Sequence, residues 1–543
     1  MTGLTYGLPV PAKTGAAVPI FADGKAMYSL YDPGRDAAIF ADQGAAAAET
    51  AGAGFILVCG LGDGSHVAAL LEKIPDAGIL VAEHSGENIA FLQRQFDFSR
   101  LAQNNRMNLC TVDELEATIP RLYVPALHGG FLTLYQQAWK RFHTEDCARI
   151  AQGIDEALEN VGADFATQAM FGKIWMRNFF LNLQTAAGRP SRPMPPLPVH
   201  KKAVVIAAGP TLDRTAASLE PGEFVIATDT ACPALLRCGI VPGVVCTIDG
   251  QSVSARHFMQ APRPQTLLVA DLCCNPGIPR RFIASGNPVL WTASRHPLCS
   301  LFLAYLSSRA SAAGQAPPEI AASSGTVTLY ALDFAVRMGW KNIRILGADF
   351  SYPGGKPYAR GTYLDDRFHG ESLRTRSAEQ SFSALMYRGK TRRIPPLSGE
   401  TPDSAPLTTS LMDGYFRAAQ NQIASCASSD GVSIASESAR PIARYPRKNN
   451  APSRKPPPQF FGDFGRFAAD FTDRYAGELR ENLQKTAANQ VDRDIFLSCL
   501  PLGAWLSKNS AKKFGKIDVF SLLQLANKLI LRYNSRRNGS ENS

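Results

Sequence analysis

Short apolar runs that end in small residues alternate along this chain with stretches in which apolar positions recur every three to four residues. The first pattern predicts buried strands and the second amphipathic helices. In GFILVCGLGDGSHVAALLEKIPDAGILVAEHSGENIAFLQRQF it predicts a strand at 55–59, a turn at Gly60, Gly62 and Gly64, a helix over Ser65–Lys73, and a second strand at 78–82 followed by Glu83. The preceding FADGKAMYSLYDPGRDAAIF reads as short strands and turns, broken at glycines and at Asp32-Pro33-Gly34. A long helix starts near Thr144, with Phe171, Ile174, Trp175, Phe179 and Leu183 at helical spacing. It ends at RPSRPMPPLPV, residues 189–199, where five prolines in eleven positions exclude helix and central strand.

Beyond that break the strand pattern becomes denser. KKAVVIAAGPTLDRTAASL predicts a strand at 203–207, a turn through Ala208, Gly209, Pro210 and Thr211, and a helix. FVIATDTA is a second strand ending in Asp229, and VVCTIDGQ a third ending in Asp249. SSGTVTLYALDFAVRMGWKNIRILGADFSYPGGKPY predicts a polar turn at 323–326, a helix to Met338, and a strand ending in Gly347 and Asp349. A second boundary falls at RYPRKNNAPSRKPPP, residues 444–458, and the sequence after it reads as amphipathic helices. The expected division is therefore 1–143, an N-terminal unit with a Rossmann-like βαβ; 144–199, a helical connector and Pro-rich linker; 200–443, the central domain; 444–458, a basic Pro-rich linker; and 459–543, a helical C-terminal domain.

Composition changes this picture in three places. Of the net charge of +10, all lies after residue 439, where 19 Lys and Arg face 9 Asp and Glu. A basic groove running through the chain is thus absent, and nucleic acid is not the expected partner. The eleven cysteines form no CxxC pair, and no histidine stands at metal spacing from them, so buried reduced thiols are expected. Nowhere do eighteen uncharged apolar residues run together, and the start lacks a basic segment followed by an apolar one. A soluble cytoplasmic protein without a membrane span is expected.

The candidate chemistry gathers at strand ends. In a parallel sheet these ends share one crevice, so Gly209, Asp229 and Asp249 are expected to converge, with the amides of the helix after Pro210 and Thr211 free to hold a phosphate. A helix cap is the simpler reading of any single strand-end aspartate. Ser324 and Thr326 offer hydroxyls to phosphate or sugar and Gly325 admits close contact, although an N-cap uses the same residues. Tyr352 and Tyr358 donate phenolic hydrogen bonds, or pack a lid. The 55–83 segment matches the opening of a nucleotide-binding βαβ unit, including that of methyltransferases that use S-adenosylmethionine, yet a glycine turn that only packs a helix on a sheet looks the same.

GPTLD, FVIATDTACPALLRCGIVPGVVCTIDG and SSGTVTLYALDFAVRMGWKNIRILGADFSYPGGKPYARG resemble the motility-associated factor (Maf) family, over roughly residues 200–370. The resemblance implies an α/β fold: a central Rossmann-like, sialyltransferase-like parallel-sheet domain, an N-terminal Rossmann-like domain and a helical C-terminal domain. It also implies glycosyl transfer to flagellin or a related protein from a CMP-activated nonulosonic acid. On that resemblance Gly209, Pro210 and Thr211 take the nucleotide, with Asp229 and Ser324 to Thr326 beside it. Tyr352 and Tyr358 take the donor phosphate. His369, Asp249 and Asp349 are the candidates for the base that accepts the acceptor hydroxyl's proton. Within the central domain no DxD motif calls for a bridging metal, so no cofactor is required, and Mg²⁺ is compatible as an assisting ion. The same central domain also resembles 6-hydroxymethylpterin diphosphokinases, which keeps pyrophosphoryl transfer open as an alternative, beside a non-catalytic nucleotide-binding scaffold.

Overall fold

The computed structural model describes residues 4–188, 192–260, 262–312, 314–321, 325–394, 405–429, 432–440, 464–485, 491–508 and 518–539. They fall into two units, Met1–Lys173 with Leu500–Leu523, and Ile174–Cys499 with Gln524–Ser543.

In the first unit β1 (Tyr6–Pro11) and β2 (Ala17–Phe21) pair as an antiparallel hairpin. β3 (Ala53–Cys59), β4 (Gly78–Glu83), β5 (Met107–Thr111) and β6 (Gly130–Tyr135) form a parallel sheet in the order β5-β4-β3-β6. The helix Ser65–Lys73 crosses between β3 and β4 where the apolar spacing placed it. Asp32-Pro33-Gly34 departs from its expected role as a turn and starts the helix Pro33–Ala51. The Asp32 carboxylate accepts the Arg35 amide at 3.0 Å, and Pro33 in the first turn has no N–H to satisfy. The same residue types that break a strand thus open a helix when an alanine-rich stretch follows.

The second unit holds β7 (Ala203–Ile206), β8 (Phe224–Thr228), β9 (Val244–Thr247), β10 (Leu267–Asp271), β11 (Val289–Thr292) and β12 (Asn342–Leu346). A short ribbon of β13 (Thr391–Arg393) and β14 (Leu407–Thr409) precedes β15 (Ser433–Glu437). The main sheet has seven strands in the order β11-β10-β9-β8-β7-β12-β15, and each of its pairings is parallel. From β7 the chain builds outward through β8 to β11, then returns to the other side of β7 with β12. The β7/β12 junction is the point where strand order reverses, and in open parallel sheets ligands bind outside the carboxyl ends at such a point.

Helix Val327–Met338 fills one face with Leu329, Tyr330, Phe334 and Ala335, all buried. Trp340 stacks on Phe224 with ring centroids 5.3 Å apart. The helix Gly465–Leu483 belongs to this unit's core: Phe471 lies 4.9 Å from Phe302 and Tyr475 lies 5.6 Å from Phe180, measured between ring centroids. None of the eleven cysteines, all among the described residues, is joined in a disulfide, and nine are buried. Among the described residues no helix is long and apolar enough to cross a membrane.

Candidate active site

The β7/β12 junction is closed by the protein's own groups. Asp349, 3% exposed, follows β12 and reaches across to the turn after β7. Its Oδ2 accepts the Thr211 amide at 2.8 Å, and its Oδ1 accepts the Thr211 hydroxyl at 2.5 Å and the Ala439 amide at 2.9 Å. The Gly209 amide donates to Gly347 O at 2.8 Å, and the Leu212 and Asp213 amides close onto Gly209 O and Pro210 O at 3.0 and 3.2 Å. Only one α-turn, Leu212–Thr215, follows. These amides are therefore already bonded within the protein, and the nucleotide role expected of Gly209, Pro210 and Thr211 would require a ligand to replace those bonds.

Glycine is required at Gly209 all the same. A Cβ there would stand 2.4 Å from Gly347 O and 2.5 Å from Asp349 Oδ2. The close approach is to the neighbouring strand rather than to a ligand. Asp349, one of the three base candidates, is likewise the clasp of this junction, with three donors on its carboxylate.

The open part of the crevice lies beside it, at the ends of β7, β8 and β9. The loop after β12 returns to the sheet when the Ala359 amide donates to Ala208 O at 2.9 Å, and this sets Tyr358 over the strand ends. Burial raises the Tyr358 phenol above its ordinary range, and Tyr352, Asp229, Tyr415 and Asp249, all close enough to act on it, push the same way. Two tyrosines and two aspartates that the sequence singled out thus share one environment. Tyr415, in the helix Ser410–Ser429, is an addition that only the tertiary fold reveals. A Cβ on Gly325 would lie 3.6 Å from its hydroxyl, which brings Gly325 to the same place.

The two aspartates differ. Asp229 is 2% exposed, and its carboxylate accepts from the Thr230 amide at 2.7 Å, the Thr230 hydroxyl at 3.1 Å and the Thr247 hydroxyl at 2.8 Å. Asp249 accepts only from Gln251, at 2.9 Å from the amide and 3.4 Å from the side chain. Burial raises the Asp249 carboxyl, with the negative charge of Asp229 adding to the rise, against the Gln251 bonds and the charge of His257. A carboxylate that is half-buried, lightly bonded and of raised proton affinity is what a general base requires.

The remaining candidates sit elsewhere or in supporting roles. Tyr352 is 8% exposed, and its amide is tied to Leu407 O at 2.8 Å. Thr326 caps the helix Val327–Met338, its hydroxyl accepting the Thr328 amide at 3.3 Å. Ser324 lies outside the described residues. His369 is in the last turn of the helix Tyr363–Gly370 rather than in a loop, because Thr362 caps that segment and Asp365 and Asp366 occupy its first turn. Its side chain is 57% exposed and 3.6 Å from Asp365.

Asp271, buried at the end of β10, carries the same strand-end signal as Asp229 and Asp249 and was legible in LLVAD. Burial pushes its carboxyl up to about 6, against hydrogen bonds from Cys273 and Ser294. Asn178 and Asn182 pin the neighbouring loops: Asn178 Nδ2 donates to Gly250 O at 2.9 Å and Asn182 Nδ2 to Leu272 O at 2.8 Å. Beside the crevice lies a cavity of about 470 Å³, lined by Cys232, Arg256, His257, Phe258, Phe282 and Tyr363 among others.

The glycines of the turn in the first unit pack closely against the protein's own side chains. A Cβ on Gly60 would lie 2.7 Å from the Trp139 ring, and one on Gly62 2.6 Å from the Tyr28 hydroxyl. Glu83, the acid placed to meet a ribose, is fully buried. It accepts from Leu61 N at 2.9 Å, Trp139 Nε1 at 2.9 Å, His84 N at 2.8 Å and Tyr6 OH at 3.2 Å. These contacts are those of a glycine turn that packs a helix on a sheet.

Fold and crevice together define a doubly wound α/β protein with polar chemistry at the carboxyl ends of its central strands. Residues 177–355 match a family model described as 6-hydroxymethylpterin diphosphokinase MptE-like. An uncharacterized protein of Treponema pallidum (strain Nichols) is 34% identical over 148 residues, 26% of this chain and 70% of that one. A second from the same organism is 35% identical over 161 residues, and the chain spans 52% of its length. A solved Maf glycosyltransferase from Magnetospirillum magneticum AMB-1 shares the fold at TM-score 0.53 and 15% identity, over 98% of this chain and 87% of that one. The central third of the chain thus matches the MptE-like family model, and the chain shares the fold of the Maf glycosyltransferase.

Two measurements check the structural roles of Asp349 and Asp271. Replacing Asp349 by Ala leaves three donors without a buried acceptor, so thermal or denaturant unfolding should register a loss of about 3 kcal/mol or more, at roughly 1 kcal/mol or more per donor. An unchanged melting curve would free Asp349 for catalysis. For Asp271, a carboxyl near 6 when folded and near 3.9 when unfolded means that the unfolded chain ionises first as pH rises. Stability should fall between about pH 4 and 6, by at most about 3 kcal/mol, and Asp271→Asn should remove that fall.

Proposed function

We propose that the protein is a glycosyltransferase that moves a nonulosonic acid from a CMP-activated donor to a Ser or Thr hydroxyl of flagellin or a related surface protein. The observation that carries this reading is the fold likeness to the Maf glycosyltransferase, which extends through 98% of the chain and therefore includes the regions on both sides of the central sheet. The crevice is chemically suited to it.

In the proposed step the acceptor oxygen bonds to the anomeric carbon of the sugar while the bond from that carbon to the CMP phosphate oxygen breaks, and CMP leaves with the bonding pair. Asp249 takes the acceptor proton. Tyr352 and Tyr358 donate hydrogen bonds to the phosphate oxygens as charge builds on them; phenols of raised pKa remain protonated and able to donate. Asp229, held by Thr230 and Thr247, shapes the floor. Mg²⁺, if bound with the donor, would offset charge on the phosphate without a dedicated cage, and His369, exposed on its helix, has no part in this scheme.

The family description favours a second reading, pyrophosphoryl transfer to a pterin. The two readings differ in nucleotide: stabilisation on melting by CMP or CTP supports the first, and by ATP with Mg²⁺ the second. For the first reading, Tyr352→Phe or Tyr358→Phe should slow single-turnover transfer from CMP-nonulosonate to unmodified flagellin by about ten- to a hundredfold, or 1.4 to 3 kcal/mol, with donor affinity nearly unchanged. The double variant should lose less than the sum, because both groups act on one phosphate. Full turnover by the double variant would remove this mechanism from the site.

A further inference from the structure

The first unit carries a cluster that the proposed transfer does not use. His84 follows the carboxyl end of β4, while His143 and Asp146 stand at the corner where the helix Gln137–Phe142 meets the long helix Thr144–Gly188. Their ligand atoms converge. His84 Nδ1 is 2.6 Å and His143 Nδ1 3.3 Å from the same oxygen, Asp146 Oδ2, and all three lie within 4.8 Å of one another. The side chains of His143 and Asp146 are 4% and 3% exposed, and that of His84 is 17% exposed.

We propose that His84, His143 and Asp146 bind one divalent transition-metal ion, with zinc as the representative. Two imidazole nitrogens and one carboxylate oxygen form a donor set suited to zinc, which takes such ligands at about 2.0–2.2 Å. In tetrahedral geometry that bond length sets ligand atoms roughly 3.3 Å apart, the separation already present between His143 and Asp146. His84 needs to withdraw by a fraction of an ångström. Its partial exposure leaves solvent, or a small ligand, to fill the fourth position.

The surroundings hold the donors as metal ligands are usually held, by hydrogen bonds to the atoms that face away from the ion. His143 Nε2 meets Thr5 Oγ1 at 3.3 Å, and that hydroxyl is itself fixed by Asn88 Nδ2 at 2.6 Å. The second oxygen of Asp146 is gripped by Arg149, which is anchored in turn on Asp113 at 2.7 Å. The His84 and His143 rings stack with centroids 4.7 Å apart.

Hydrogen bonds from His143, Arg149 and His84 overcome the effect of burial and keep the Asp146 carboxyl well below the usual carboxylate range. The third donor is therefore anionic at neutral pH. Alanine or asparagine at one of these positions removes a ligand while leaving the neighbouring sheet intact. His143 and Asp146 stand three apart, but His84 lies 62 positions before Asp146, too far for a spacing rule to join all three.

The test is calorimetric titration of zinc chloride into the full chain, free of any affinity tag and stripped with chelator, together with the visible spectrum of the cobalt-loaded protein. The expected result is one ion per chain, a higher melting temperature with zinc, and cobalt bands of tetrahedral type. His84→Ala, the least buried change, and Asp146→Asn, which preserves shape, should each weaken binding by about a hundredfold or more while still melting cooperatively. Absence of saturable binding, or stoichiometric binding unaltered in whichever of the two variants folds, would overturn the proposal. The outcome is independent of which nucleotide the second unit binds.

Discussion

The second unit depends on one carboxylate. Asp349 stands where strand order reverses, and it fastens β12 to the turn after β7 through the amide and hydroxyl of Thr211, and to the segment after β15 through Ala439 N. Without it, three buried donors at the centre of the sheet would lack an acceptor, at roughly 1–3 kcal/mol each. Gly209 follows from the same contact, since no side chain fits between the turn and Asp349. A site that a doubly wound sheet ordinarily offers to a ligand is in this protein part of the framework.

Closing that junction moves the chemistry sideways, to the ends of β7, β8 and β9. There Asp229 is held by threonines and Asp249 accepts only from Gln251, so neighbouring strands that end in the same residue type supply one heavily bonded carboxylate and one lightly bonded one. Tyr358 is brought to them by the backbone bond of Ala359 to Ala208, while the amide of Tyr352 is tied to Leu407. Asn178 and Asn182 fix the loops on the far side. The crevice is thus rigid at its edges, as positioning a leaving phosphate requires.

Much of this was legible in the sequence, and the reasons for the rest are physical. Apolar runs ending in Asp or Gly located the parallel strands, because a strand buried on both faces must be apolar and its carboxyl end must turn. The expected convergence of strand-end aspartates rested on that topology, and Tyr358 beside Asp229 and Asp249 is visible only in the tertiary fold. What sequence could not supply was the partner of each polar group. Asp349 and Asp249 look alike as strand ends, and only the return of β12 beside β7 makes the first a clasp. Asp32-Pro33-Gly34 fits both a turn and a helix start, and the outcome was decided by the residues after it. Glu83 occupies the position of a ribose-binding acid, but Trp139 and Tyr6, distant in sequence, reach it first.

The central claim, that the β7 turn is sealed by Asp349 rather than left open for an anion, is tested most directly by hydrogen exchange at the Thr211 amide in the ligand-free protein. A buried amide bonded to a buried carboxylate should exchange among the slowest in the chain, with a protection close to that of the β7 and β12 amides. Exchange as fast as at an unbonded helix start, slowed only when a nucleotide is added, would contradict the account and return the phosphate to Gly209 and Thr211.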